Sequence, residues 1–542
     1  MFKRLLELLQ NAIKKMLGYK SIAQLTNNTT NTISDKMLTA LDLWKAIYKD
    51  ESPWLDEDTG IYSLGLGKQI CQTLQQQTLS EMDSAIIEPG SDDEIQEDKS
   101  VNDTPNTRAS FLNDVYTKRL LSNLPTALEK ALALGGMIIK PYISNGQLYL
   151  DFNYQGEFYP IAFDDDGNIT DIAFIDRFSE EGYLYTKVER QTFIYSTRQV
   201  IIENKAFRIE LQYANNDDTE EDLGKQIPLV DVERWSGISE EPITIENVEK
   251  SLYGYFKVPL ANNIDLHSPL GISIFSPAVS LIKRADHQFS RLDWEYNGGQ
   301  LAIDVDPTAV TYSEGYYGTK MELDSCQQRL YRNLDLGSEE TYNQWAPNLR
   351  DTNYLNGLNA YLNRIEDVIG LARGTLSQVD SEARTATEIK LLKQRTYITI
   401  SDLQKHLEKC ILDVVYAMNV FVDLYNLAPD GLYDTKIDWK DSILTDTDTE
   451  LEQKLNLQTA GILSKAEVRA WYTGENLATA QAEIDKMEKA NEDKWMNDLF
   501  TSKNQETTLE SDDDNSANKD NQQKDMSKNG KSTKNEDIED EG

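Results

Sequence analysis

Few residues in this chain are placed to do chemistry. His267, His287 and His406 are the only histidines in 542 residues, and none stands in H-E-x-x-H or a comparable array. They give no basis for a histidine-held metal or for a nucleophile–histidine pair. Gly65-Leu66-Gly67-Lys68 has the ending of a phosphate loop, but Tyr62 holds the first glycine position and Gln69 follows the lysine, so it reads as a helix entry. Asp164-Asp165-Asp166-Gly167-Asn168 looks like the start of a calcium loop. Its twelfth position is Ile175 where a bidentate glutamate is required, so a hairpin turn is expected. Ser280-x-x-Lys283 lacks any accompanying K-T-G or S-D-N and follows from helix spacing. Carboxylates are too numerous for any pair to stand out as acid and base. No cofactor motif and no catalytic constellation is present, and the chain is not read as an enzyme.

The totals agree. With 39% apolar and 27% charged residues the chain can bury a core and make more than one domain. Asp and Glu number 92 against 54 Lys and Arg, a formal charge of −38. That sign argues against a surface that clamps a nucleic-acid backbone, because phosphate affinity comes from cations displacing counterions. Cys71, Cys326 and Cys410 lie far apart without C-x-x-C spacing, which points to folding in a reducing cytoplasm. No run of eighteen apolar residues occurs. The N-terminal Phe2, Leu5, Leu6, Leu9, Ile13 and Met16 share one face of an amphipathic helix, expected to pack on protein, with a lipid surface as the alternative.

The elements that would position any functional residue follow from periodicity. Helices are expected after Ser34, over Leu66 to Leu79, and from Ser110 to Gly135 with a kink at Pro125. An acidic excursion separates the last two, from Glu88 to Thr107. Short alternating runs then predict an antiparallel meander from about 137 to 230: MIIKPYI, QLYLDFNY, FYPIAF, ITDIAFI, YLYTKVE, TFIYST and QVIIEN. Ser276 and Pro277 open a helix with an apolar stripe through Ile282, Ala285, Phe289, Leu292 and Tyr296, ended by Gly298-Gly299. Its other face carries Lys283, Asp286, His287, Arg291 and Asp293. About fifty residues of strand and turn follow. A partner helix from Thr352 then places Leu355, Leu358, Leu362, Ile365 and Ile369 on one stripe before Gly370. A loop containing Arg373, Gly374 and Arg384 should be mobile, and Thr385 to Leu427 predicts a rod of roughly 65 Å at 1.5 Å per residue. Capping boxes at Thr447 and Ser464 mark a small helical cluster, and beyond Thr501 the composition predicts a disordered acidic tail.

Three segments resemble the portal proteins of tailed bacteriophages, of the type found in phages of Gram-positive hosts. They are Lys257-Val-Pro-Leu-Ala-Asn-Asn-Ile-Asp-Leu-His-Ser-Pro-Leu-Gly-Ile-Ser-Ile-Phe275; Tyr354-Leu-Asn-Gly-Leu-Asn-Ala-Tyr-Leu with Gly370-Leu-Ala-Arg-Gly-Thr-Leu-Ser and Arg384-Thr-Ala-Thr-Glu-Ile; and Ala133-Leu-Gly-Gly-Met-Ile-Ile-Lys-Pro-Tyr. The resemblance covers roughly residues 35 to 490. The chain departs from it at Gln378-Val-Asp-Ser-Glu-Ala-Arg384, where the family often has a phenylalanine and more glycines.

The resemblance implies an α+β portal fold assembled as a ring of twelve. It divides the chain into a wing at 1–276, stem helices at 277–299 and 352–370, a clip at 300–351, a tunnel loop at 371–384, a long wing helix and exit at 385–439, a crown at 440–495 and a tail at 496–542. Arg373, Gly374, Gln378 and Arg384 would then face the DNA channel. Lys283, His287 and Arg291 would form the charged stem face, and Asp304, Asp306, Tyr316 and Trp345 the docking region of the clip. Implied partners are double-stranded DNA, the large terminase subunit, a head-completion or adaptor protein, and the major capsid and scaffold proteins. Assembly would occur in the host cytoplasm before incorporation into the virion at the portal vertex. The competing class is another virion structural protein, a head-tail adaptor or an acidic scaffold. Adaptors are much shorter, and scaffolds lack a β meander.

Overall fold

The computed structural model describes residues 33–56, 60–80, 82–89, 107–210, 223–266, 268–305, 313–315, 318–320, 331–333, 342–378, 386–439, 447–473 and 476–489. The N-terminal amphipathic segment, most of the acidic excursion and the tail lie outside them. The chain divides into two compact units, residues 1–445 and 446–542. No helix among the described residues is long and apolar enough to cross a membrane.

The first unit begins with α1 (Asp35–Tyr48), where Ser34 Oγ accepts the Met37 amide at 3.4 Å and Met37, Leu38, Leu41, Trp44 and Ile47 are buried. In α2 (Leu66–Leu79), the Gly-Leu-Gly-Lys segment is a helix start. A Cβ on Gly67 would sit 2.6 Å from Ile47 Cγ2, so this glycine serves close helix packing. Strand β1 (Met82–Ile87) follows. The kinked helix expected from Ser110 to Gly135 is instead two: α3 (Arg108–Val115), continued by a π turn Tyr116–Leu121, and α4 (Leu124–Leu134). Pro125 lies in the first turn of α4, where its missing N–H costs nothing, so it starts a helix rather than bending one.

The expected meander splits into two sheets. Strands β2 (Gly136–Ser144) and β3 (Gln147–Tyr154) pair with β10 (Gly254–Lys257), which lies beyond the expected range, in the order β10-β2-β3. The second sheet runs β4 (Phe158–Phe163), β5 (Ile169–Glu180), β6 (Tyr183–Ile194), β7 (Gln199–Glu210) and β8 (Lys225–Ile227), with β9 (Ile243–Glu246) also on β7. β4 carries Pro160 beside a register shift and forms the edge, as a strand lacking an N–H must. YLYTKVE and the start of TFIYST fuse into β6: burial moves from Thr186 and Val188 to Gln191 and Phe193, and that phase slip divides one strand into two runs when read by alternation. The two sheets are tied by a buried ion cluster. Lys140 Nζ of β2 meets Glu189 Oε1 of β6 at 2.8 Å and lies 4.3 Å from the Phe174 ring centre, while Lys187 approaches Glu189 at 3.8 Å.

After a 3-10 turn (Ser276–Ala278) comes α5 (Val279–Gly298); Ser276 opens the turn without a side-chain cap. The insert contains β11 (Ala302–Val305), β12 (Ser313–Gly315), β13 (Gly318–Lys320), β14 (Tyr331–Asn333) and β15 (Tyr342–Trp345), ordered β14-β11-β15 beside a β12–β13 hairpin. Helix α6 (Asp351–Ile369) returns along α5. Then α7 (Ala386–Tyr425) runs 40 residues, burying Ile400, Leu403, Leu407, Cys410, Ile411, Val414, Met418 and Val422. Strand β10 packs so closely on it that a Cβ on Gly254 would lie 2.3 Å from Cys410 O. Strand β16 (Asp434–Trp439) closes the unit by pairing antiparallel with β1, from Met82↔Trp439 to Ile87↔Asp434. Neither strand was expected from periodicity.

The second unit holds α8 (Thr447–Thr459), α9 (Lys465–Thr473) and α10 (477–489). The Ser464 capping box is formed: Ser464 N–H donates to Glu467 Oε2 at 2.7 Å, and Glu467 N–H donates to Ser464 Oγ at 3.1 Å.

Candidate functional site

Helices α5 and α6 are the uprights of a hairpin whose tip is the insert. Each has a stripe too narrow to make a core alone, and the stripes meet: Ile282, Ala285 and Leu292 of α5 and Leu358, Ile365 and Ile369 of α6 are buried. The hairpin is locked at the insert end by Arg350, whose Nη2 lies 2.7 Å from Glu295 Oε2 and whose Nε lies 3.1 Å from Oε1. Gln288 Nε2 donates to Tyr354 O at 3.2 Å farther along. The other side of α5 anchors to the segment between α1 and α2. Asp286, expected on the charged face, is buried, with Oδ2 accepting from Trp54 Nε1 at 2.8 Å and Oδ1 from Leu64 N–H at 2.9 Å. Burial raises its pKa despite those bonds.

The rest of the charged face of α5 stays at the surface, with Asp293 half-buried on it. Lys283 and Arg291 are exposed one turn either side of His287. Partial burial, then the charges of Lys283 and Arg291, lower the His287 pKa, so at neutral pH the stripe is two cations around a neutral ring. The structure therefore groups these three residues as the sequence indicates.

The loop after α6 is organised by two adjacent carboxylates that sequence reading did not single out. Gly370 (φ +88°) ends α6, and the chain turns back over it. Glu366, fully buried, accepts from Leu376 N–H at 2.5 Å, Ser377 N–H at 2.9 Å and Ser377 Oγ at 2.8 Å. Gly374 N–H donates to Ser377 Oγ at 3.0 Å, and Gln378 N–H to Asn359 Oδ1 at 2.8 Å. Residues 371–378 are thus held by hydrogen bonds to α6 and to one another, while residues 379–384 of the loop expected to be mobile lie outside the described residues. Asp367, the next residue, accepts from Arg373 Nε at 3.2 Å and Nη2 at 2.8 Å, and from Arg395 Nη1 of α7 at 3.1 Å. The Arg373 hydrogen bonds, then the charges of Arg373, Arg395 and Arg364, hold its carboxyl below the usual range. A clue was visible in the sequence: Glu366 interrupts the stripe between Ile365 and Ile369, where a carboxylate must find buried donors.

Other indicated residues are less gathered. Trp345 is exposed at the end of β15. Asp304 lies in β11 opposite Asn343 and Arg332, though its side chain lies outside the described residues. Asp306, Tyr316 and Arg384 lie outside them altogether. The calcium-like run forms the expected turn: Asp164 accepts from Asn168 N–H at 2.7 Å and from Tyr195 Oη at 2.8 Å. A family model described as phage portal protein, SPP1 Gp6-like, matches residues 90–495, about three quarters of the chain. No curated protein matches the chain.

Proposed function

Because the chain belongs to the SPP1 Gp6-like family of phage portal proteins, we propose that twelve copies close into a ring at one vertex of the capsid, through which double-stranded DNA is packaged and later ejected. In this reading α5 and α6 form the stem, the insert at 300–351 the clip, residues 371–384 the tunnel loop, and α8 to α10 part of the crown. The remainder, including α7, is the wing held by major capsid and scaffold proteins. The clip, with Asp304, Asp306, Tyr316 and Trp345, docks the large terminase subunit and then a head-completion or adaptor protein. ATP hydrolysis belongs to the terminase, and rings assemble in the host cytoplasm before entering the virion.

The observation that carries this reading is the family match, whose span contains both hairpin helices, the insert, the loop and the long helix in one order. Electrostatics support it. A channel must let a polyanion slide, and an excess of carboxylates weakens the counterion-release affinity that would hold DNA in place. Lys283, His287 and Arg291, and in the loop Arg373, Gly374, Gln378 and Arg384, make the light contacts such sliding permits. Negative-stain imaging and native mass spectrometry of the purified protein test the proposal. A closed ring with a central hole is expected, near 740 kDa for twelve copies of the 61.7 kDa chain. Monomers and dimers alone at every salt concentration would overturn it.

A further inference from the structure

Arg364, Arg373 and Arg395 come from three successive segments, α6, the loop and α7, and converge on a single carboxylate. Arg373 binds both oxygens of Asp367, Arg395 Nη1 lies 3.1 Å from Oδ1, and Arg364 Nη1 stands 4.0 Å from Oδ2, beyond hydrogen-bond reach. The three cationic side chains are 66%, 54% and 56% exposed, while that of Asp367 is 16% exposed beneath them. Neighbouring Glu366 is committed to loop amides and Ser377. Among the described residues neither Arg364 nor Arg395 has another carboxylate within ion-pair distance. Arg364 and Arg395 thus share a carboxylate whose two oxygens Arg373 already holds, in a chain with 92 acidic and 54 basic residues.

We propose that this cluster is a phosphate-binding site in which Asp367 is the resident anion, displaced when a phosphodiester engages the guanidinium groups. A guanidinium offers five N–H donors in a fixed fork, and a carboxylate already held on both oxygens by Arg373 cannot satisfy Arg364 and Arg395 as well. A phosphate brings tetrahedral oxygens that can span Arg364 and Arg395 while Arg373 stays with Asp367 or transfers. Exchanging one resident oxyanion for another leaves no bare cation behind, so contacts form and release readily. That the phosphate belongs to DNA rests on the portal reading; the oxyanion chemistry does not.

The test uses the full-length protein with a 20-base-pair duplex followed by fluorescence anisotropy across salt, and with inorganic phosphate as competitor at matched ionic strength. R364Q/R395Q alters exposed side chains. It is expected to weaken duplex binding severalfold and to lower the slope of log K against log salt by roughly two, about one per phosphate contact. D367N, which removes the resident anion, is expected to bind at least threefold tighter. Competition by inorganic phosphate against wild type, lost in R364Q/R395Q, would show that a free phosphate also enters; displacement by duplex alone would assign the site to nucleic acid. Coinciding slopes for R364Q/R395Q and wild type, or a D367N protein that binds no tighter, would overturn the inference. Rings seen with coinciding slopes leave the portal reading standing, and a lowered slope without rings does the reverse.

Discussion

Glu189 is the residue on which the two sheets of the first unit depend. Lys140 and Lys187 hold its pKa down to about 2 against the cost of burial. A carboxylate with a depressed folded-state pKa contributes stability that is fully present above its unfolded value and is lost as pH falls through the folded one. The window here runs from about 4.5 down to about 2. Glu189→Leu strands two largely buried ammonium groups and is expected to cost about 3 kcal/mol in urea unfolding at pH 7. It should also flatten the stability profile across that acid window. A variant as stable as wild type, with the acid limb unchanged, would show that the cluster is dispensable. Such pairings are hard to see in a sequence because Lys140 and Glu189 are 49 residues apart. The positions of Lys283, His287 and Arg291 along one helix and of Arg373 in the loop were legible, since helix spacing and loop position mark them. Their partners were not: Arg373 pairs with Asp367.

The hairpin and its loop show how an element's behaviour departs from its composition. Glycine and small polar residues in 371–378 read as loose chain, yet a buried carboxylate at the end of α6 gathers their donors. Hydrogen bonds to a charged acceptor contribute about 1.5–3 kcal/mol each. Glu366→Ala is therefore expected to speed amide exchange at Leu376 and Ser377 by roughly tenfold or more, at about 1.4 kcal/mol per tenfold. Unchanged protection at both amides would assign the anchoring to the turn itself. Long periodic helices were readable almost to the residue: Thr385 to Leu427 was expected and Ala386–Tyr425 observed. The strands were legible as runs but not as sheets, because alternation identifies a buried face without naming the neighbour. β10 joins β2 across about 110 residues, and nothing local announces it.

At the scale of the whole molecule the dominant quantity is charge. Each chain carries −38, so closing the proposed ring would bring like-charged bodies together. Repulsion reaches about 30 Å at 0.01 M salt and about 8 Å at 0.15 M. Ring closure is accordingly expected to be promoted by salt, with mass photometry showing a larger ring fraction at 0.15 M than at 0.01 M. Rings that dissolve as salt rises would mean that opposite charges, rather than apolar contacts, hold the copies together. The pairing of β1 with β16 acts on a different axis, that of time. About 350 residues separate the two strands, so at roughly 5–20 residues per second β1 leaves the ribosome some 20–70 s before its partner exists. Through that interval β1 has no partner strand, and only a chain extended as far as Trp439 supplies the whole of it. A prematurely terminated chain that stops short of Asp434 lacks the closing strand, so β1 is left with an open edge and the first unit cannot complete its fold.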